Sequence, residues 1–160
     1  EWAKILKEQH REALIPKANE VSSRTYMFTE LVDKLIKEKR LTPKEGVELH
    51  TLTYHDSCHA KRHVGIFKEP RAALSAAGYE IKEMNECDTC CGMGGSYTLK
   101  QPEISMQMLK RKLENIEATG AEFVTAECPG CLIQIRGGLD KSGSKIKAIH
   151  PAELMVDKFK

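Results

Sequence analysis

The chain has 160 residues, 41% hydrophobic and 30% charged, which is enough for one globular domain with its own apolar core and no need of disulfides. Its 25 basic and 23 acidic residues leave a formal charge of +2, too balanced for a nucleic-acid or anionic-membrane binder, and aromatics at 6% supply no stacking platform for single strands. No apolar run approaches the ~20 residues of a bilayer span, so no direct membrane insertion is expected, and any membrane association runs through partners.

The start, Glu1-Trp2-Ala3-Lys4-Ile5-Leu6-Lys7, is charged and amphipathic and not a signal peptide. It lacks an initiator Met, so the chain is expected to be a piece of something longer. The expected compartment is the reducing cytoplasm, where cysteines serve metals or catalysis more often than bridges.

Residues 2–14 read as a helix closed by Pro16. Phe28, Leu31, Val32, Leu35 and Ile36 form one apolar stripe at helical spacing. Leu41-Thr42-Pro43 reads as a break, with Thr42 as an N-cap. These segments make residues 1–46 a helical lead, either part of the domain or a linker from a preceding one. Beyond it strands and helices alternate: a strand at 49–54, a helix at 69–77 stopped by Gly78, and a strand at 79–84. A long helix over 102–119 follows, with Ile104, Met108, Leu109, Leu113 and Ile116 inward and Met106 and Met108 filling core. Then come a strand at 121–126, a helix at 129–136, Gly137-Gly138 and Ser142-Gly143-Ser144 as loop material, a strand at 145–149, and a helix from Pro151 to Phe159. This rhythm predicts an α/β domain over 47–160, a mainly parallel, Rossmann-like sheet with helices on both faces.

The six cysteines fall just after strands: Cys58 after the first, Cys87, Cys90 and Cys91 after the second, Cys128 and Cys131 after the third. In a parallel sheet those carboxyl ends share the edge where ligands bind, so three sequence-distant groups should converge. Cys128-Pro129-Gly130-Cys131 is a tight chelating turn, and a helix N-terminus favours the thiolate, the ligating form. Gly92, Gly94 and Gly95 let backbone pass close to a bulky group. Lys61, Arg62, His55, His59 and His63 flank Cys58, Arg136 follows Cys131, and His150 should face the same edge, where together they would neutralise an anionic site. For the histidines a surface or supporting place is the commoner one, and for His150 a helix cap. Three chemistries stay open on spacing alone. One is an iron–sulfur cluster. A second is a structural zinc on Cys87, Cys90, Cys128 and Cys131. The third is a metal-free dithiol that exchanges disulfides.

The whole pattern is Cys-x31-Cys-Cys-Gly-x35-Cys-x2-Cys. With Tyr54-His55-Asp56-Ser57-Cys58-His59, Glu127-Cys128-Pro129-Gly130-Cys131 and His150-Pro151-Ala152-Glu153-Leu154, it resembles the CCG domain, the cysteine-rich module of heterodisulfide reductase subunits. Its details are closer to the C-terminal CCG domain of the iron–sulfur subunits of flavin-dependent glycolate and lactate dehydrogenases than to the methanogen enzymes. The resemblance covers residues 47–160. It implies a noncubane [4Fe-4S] cluster on Cys58, Cys90, Cys91, Cys128 and Cys131, with Cys87 outside the motif. It also implies an oxidoreductase component that takes electrons from a flavoprotein, beside a second CCG or ferredoxin-like domain. The alternatives it leaves are disulfide reduction at the cluster and a zinc-stabilised assembly module. No residue is assigned a catalytic role.

Overall fold

Strands that alternate with amphipathic helices can bury both sheet faces only as a layered structure. The computed structural model describes residues 2–160 and realises that layering in one four-stranded sheet. Strands β1 (His50–Tyr54), β2 (Tyr79–Ile81), β3 (Phe123–Thr125) and β4 (Lys147–Ala148) are all parallel, in the order β2-β1-β3-β4. Tyr54 pairs in register with Thr125, so β1 and β3 end side by side.

Side chains alternate across a strand, and two cores result. On one face Leu52, Tyr54 and Tyr79 pack with Val32 of α3 (Phe28–Lys37), Leu74 of α4 (Glu69–Ala76) and Leu154 of α8 (Pro151–Leu154). On the other, Val124 and Ala148 pack with Ile116 of α6 (Pro102–Glu117) and with Ile135 and Leu139 of α7 (Pro129–Ser142). The expected α/β architecture with helices on both faces is therefore present.

Several boundaries differ from those read along the chain, each for a local reason. Residue Glu1 of the lead lies outside the described residues. The first helix, α1 (Trp2–Glu8), ends before His10, whose φ is +53°. A 3-10 turn (Glu12–Leu14) leads into α2 (Ile15–Ser23), and Pro16 sits in the first turn of α2 and does not close the helix before it. Proline fits there because its missing N–H would be unpaired anyway.

Helix α3 shares the core of the strands, and its first turn is tied to the chain just after β3: the Glu127 carboxylate accepts the Thr29 N–H at 2.6 Å. Thr42 is no N-cap. It exchanges two backbone hydrogen bonds with Lys160, at 3.1 and 2.9 Å, beside a Pro43–Phe159 bridge, and so the last helix stops at Leu154.

Gly137-Gly138 lies inside α7 and is not a loop. A Cβ on Gly138 would stand 2.8 Å from Leu113 Cδ1 and 3.0 Å from Leu109 Cδ2. The bare backbone lets α7 lie close against α6, which outweighs the roughly 1 kcal/mol propensity cost of a helical glycine.

Helix α6 is also rotated from the expected face. Ser105, Leu109, Lys112 and Ile116 are its buried residues, while Ile104 and Met106 are about half exposed. The polar members of this stripe are its anchors: Ser105 Oγ donates to the Gly92 carbonyl at 2.8 Å, and Lys112 Nζ to the Glu86 carbonyl at 2.6 Å. Two further turns, a π-helical one (His59–Val64) and the short α5 (Tyr97–Lys100), fill loops left unassigned by the chain pattern.

Two outcomes follow from these contacts. Gly92 has φ +90°, and a Cβ there would lie 2.4 Å from the Ser105 carbonyl oxygen, whereas Gly95, at φ +58°, has nothing within 4 Å. Urea denaturation should show Gly92→Ala losing about 2 kcal/mol or more and Gly95→Ala roughly 1 kcal/mol; equal losses would mean that the close approach to α6 is relaxed. Replacing Glu127 by Ala should speed amide exchange in residues 28–32, while Glu127→Gln, which keeps an acceptor oxygen, should leave those amides protected.

Candidate metal or cluster site

The site is built where β1 and β3 end. The His55 N–H continues the ladder to the Thr125 carbonyl at 2.9 Å. The chain after β2 is then stapled against this edge through one carbonyl: Cys87 O accepts the Asp56 N–H at 3.0 Å and a bond from His55 Nδ1 at 3.1 Å. A carbonyl only accepts, so Nδ1 carries the proton. His55 Nε2 is left buried with no hydrogen-bond partner.

Beside that ring stand Cys91 and Cys131. One ring nitrogen and the two thiol sulfurs all lie within 4.8 Å of one another, and all three residues are buried. Cys91 comes from the loop after β2 and Cys131 from the first turn of α7, after β3. The neighbouring Cys131 thiol, together with the Met93 N–H, holds Cys91 well below the usual thiol range against the opposing effect of burial. Cys131 is pushed up by the same contact, by burial, and by the charge of Cys91 and then of Cys128. The structure therefore favours a thiolate at Cys91, the species that ligates metals.

Of the five motif cysteines, Cys91 and Cys131 meet directly, and Cys128, the residue before α7, lies against Cys131. Cys90 is half-buried, and its sulfur accepts the Gly92 N–H at 3.4 Å. Cys58 is exposed at the start of the π-helical turn. Neither Cys58 nor Cys90 belongs to the close group of three.

Cys87 is engaged elsewhere: its thiol donates to Asp56 Oδ2 at 3.4 Å, and burial, followed by that carboxylate, raises its pKa. Asp56 is itself buried and held by Arg71 at 2.8 and 3.3 Å. A protonated thiol beside a carboxylate is a poor metal ligand, which places Cys87 among the supports of the site.

The surrounding cations have definite partners. Lys61 reaches Asp88 at 3.0 Å and Asp56 at 3.5 Å, and Arg62 donates to the Asp88 carbonyl. Arg136 gives two bonds to the Ala148 carbonyl, which tie α7 to β4. His59 and His63 stack at 5.5 Å on the exposed turn. His150 caps α8 through Nδ1, while Nε2 lies 3.3 Å from the Glu127 carbonyl, just before Cys128.

Two residues deserve a larger place than the chain pattern gave them. His55 flanks Cys58 in the chain, and its ring completes the buried group. Lys112 is the other, since a lysine between Leu109 and Ile116 on an inner helical stripe is itself a signal. An unpartnered buried ring nitrogen beside two buried thiols, one favoured as thiolate, suits a thiophilic metal or an iron–sulfur cluster.

Comparison with known proteins agrees with this geometry. The model of the CCG family, described as a cysteine-rich domain, matches residues 52–136, more than half of the chain. Lactate utilization protein A 1 of Bacillus mycoides (strain KBAB4) is 36% identical over 141 residues, covering 87% of this chain and 56% of that protein. Lactate utilization protein A of Bacillus subtilis (strain 168) is 37% identical over 142 residues, with 87% and 58% covered. That of Lysinibacillus sphaericus (strain C3-41) is 34% identical over 141 residues, with 87% and 60% covered. The chain thus spans little more than half the length of these curated relatives. With its motif cysteines on the carboxyl edge of a parallel sheet and the family model spanning most of that sheet, the chain belongs to the CCG cysteine-rich domain family.

Proposed function

We propose that this domain binds an iron–sulfur cluster and passes electrons within an oxidoreductase acting on lactate or a related 2-hydroxy acid. The observation that carries the reading is the burial of Cys91, from the loop after β2, and Cys131, from the helix start after β3, against a histidine whose second nitrogen has no partner. Thiols gathered from separate loops in a dry pocket serve a polynuclear group better than a surface redox pair, which needs access.

The proposed ligands are Cys58, Cys90, Cys91, Cys128 and Cys131, and the proposed group is a noncubane [4Fe-4S] cluster. When bound, it supplies storage for single electrons. The protein's share is to present thiolates, exclude water and set the local charge. Cys91 and Cys131 make the buried floor, and Cys128, the residue before α7, stands beside Cys131. Cys58 and Cys90 stand on the bordering loops.

The 2-hydroxy acid is supported by the name of the relatives, lactate utilization protein A. In this reading a flavoprotein partner takes the hydride from substrate, and a second CCG or ferredoxin-like domain relays electrons to an acceptor. The proposed setting is cytoplasmic; among the described residues no helix is long and apolar enough to cross a membrane.

One observation favours a second reading. Two thiols and an imidazole within 4.8 Å are also a zinc donor set, with Cys128 as a fourth ligand at hand. Metal analysis separates the two. After reconstitution without oxygen, the protein should carry several irons per chain with matching sulfide and a broad visible absorption. Cys91→Ser and Cys131→Ser should lose most of that iron, whereas Cys87→Ser should keep it. About one zinc and no iron under the same treatment would overturn the electron-transfer reading in favour of a zinc-stabilised assembly module.

A further inference from the structure

Lys112 is 1% exposed, on the inner face of α6. Burying an ammonium costs several kcal/mol unless hydrogen bonds and an opposite charge compensate it. Its hydrogen bonds are few: Nζ donates to the Glu86 carbonyl at 2.6 Å and lies 3.9 Å from Met84 Sδ. Among the described residues it forms no ion pair, because the Glu86 carboxylate is taken by Arg111 and Asn115. Burial lowers the pKa of the ammonium, and the groups that oppose this and favour its charge, Cys87 and Cys91 and then Asp88 and Glu86, all belong to the cysteine loop. Cys87 is committed as a thiol donor to Asp56. Met84, which Nζ approaches, packs in the same buried cluster as Cys91 and Cys131, so the ammonium lies behind the cysteine site.

The backbone beside it is held with unusual firmness. Glu86 has φ +53°, a left-handed conformation that a non-glycine residue keeps only when its surroundings impose it. Three residues of α6 impose it: Arg111 and Asn115 on the carboxylate, Lys112 on the carbonyl. Cys87 follows directly, and Cys90 and Cys91 complete the turn. Helix α6 therefore sets both the path of the cysteine loop and the charge behind it.

We propose that Lys112 is the fixed counter-charge of the cluster site, an ammonium clamped to the Glu86 carbonyl that offsets the charge of the thiolate-bound cluster and raises its reduction potential. The inference rests on the cluster reading given above. A buried positive charge stabilises the reduced, more negative state more than the oxidised one, and burial protects that interaction from salt screening. Lys112 is a positioning residue and touches no substrate.

The test uses the full chain, reconstituted without oxygen, and measures midpoint potential by spectroscopic redox titration. Lys112→Met removes both charge and donor in a similar volume and leaves the Glu86 carbonyl without that bond. Lys112→Gln removes the charge and keeps an N–H for the Glu86 carbonyl. Lys110→Met removes an exposed charge from the same helix. Both Lys112 variants should shift the potential to more negative values, with Lys110→Met matching the unaltered protein. If Lys112→Gln keeps the original potential, the hydrogen bond and not the charge matters, and the proposal falls. It falls also if both Lys112 variants titrate with the unaltered protein. Should the unaltered protein take up no iron at all, the cluster reading fails first and carries this inference with it.

Discussion

The pairing of β1 with β3 is the constraint on which the rest of the site depends. The two strands are far apart in the chain, yet Tyr54 and Thr125 stand in register, and His55 extends the ladder by one more bond. Parallel pairing needs a crossover, and here the crossover contains β2, the cysteine loop and α6. One register thus delivers the chain after β1, the chain after β3 and, through β2 on the outer side of β1, the Cys87–Cys91 loop to the same edge. The order β2-β1-β3-β4 reverses direction between β1 and β3, the place where open parallel sheets leave a crevice for ligands. The buried group of His55, Cys91 and Cys131 lies there.

Filling that crevice with ionisable groups opposes folding, because each buried polar atom has given up water. The structure limits the cost in two ways. Most groups are bonded in networks: Asp56 to Arg71, Lys61 and the Cys87 thiol, and Arg71 onward to Glu83. A few are left unsatisfied, namely His55 Nε2, Glu127 Oε2 and the hydroxyls of Thr29, Thr53 and Thr125. These lie on or beside the carboxyl ends of β1 and β3 and at the facing turn of α3, not scattered through the apolar cores. Unsatisfied buried groups concentrated at one edge mark a region shaped for something besides its own stability.

Much of this was legible in the sequence because it obeys local rules. Strand–helix alternation implied the parallel sheet, and cysteines placed after strands implied a shared edge. The departures come from long-range contacts that no local pattern carries. Gly137-Gly138 reads as loop until α6 is laid against it at Gly138. Pro16 reads as a stop until a second helix begins there. The buried face of α6 includes two polar residues that an apolar pattern leaves out, Ser105 and Lys112, and each has a backbone carbonyl of the cysteine loop as its partner. His55 looked like one flanking charge among several until Cys87 O fixed its Nδ1. At the site, then, polarity no longer predicts exposure, since the polar groups there bind one another.

The sixth cysteine shows how far the supporting shell matters. Cys87 lies outside the motif, and its thiol points to Asp56. Its backbone does more. By accepting from both the Asp56 N–H and His55 Nδ1, the Cys87 carbonyl locks the loop after β2 to the end of β1 and selects the ring tautomer that leaves Nε2 bare. That carbonyl is aimed by the left-handed turn at Glu86, and the turn is imposed by α6. A chain of ordinary hydrogen bonds thus runs from Arg111, Lys112 and Asn115 through Glu86 and Cys87 to the imidazole beside Cys91. The orientation of the buried ring is decided by residues that the cysteine motif does not contain.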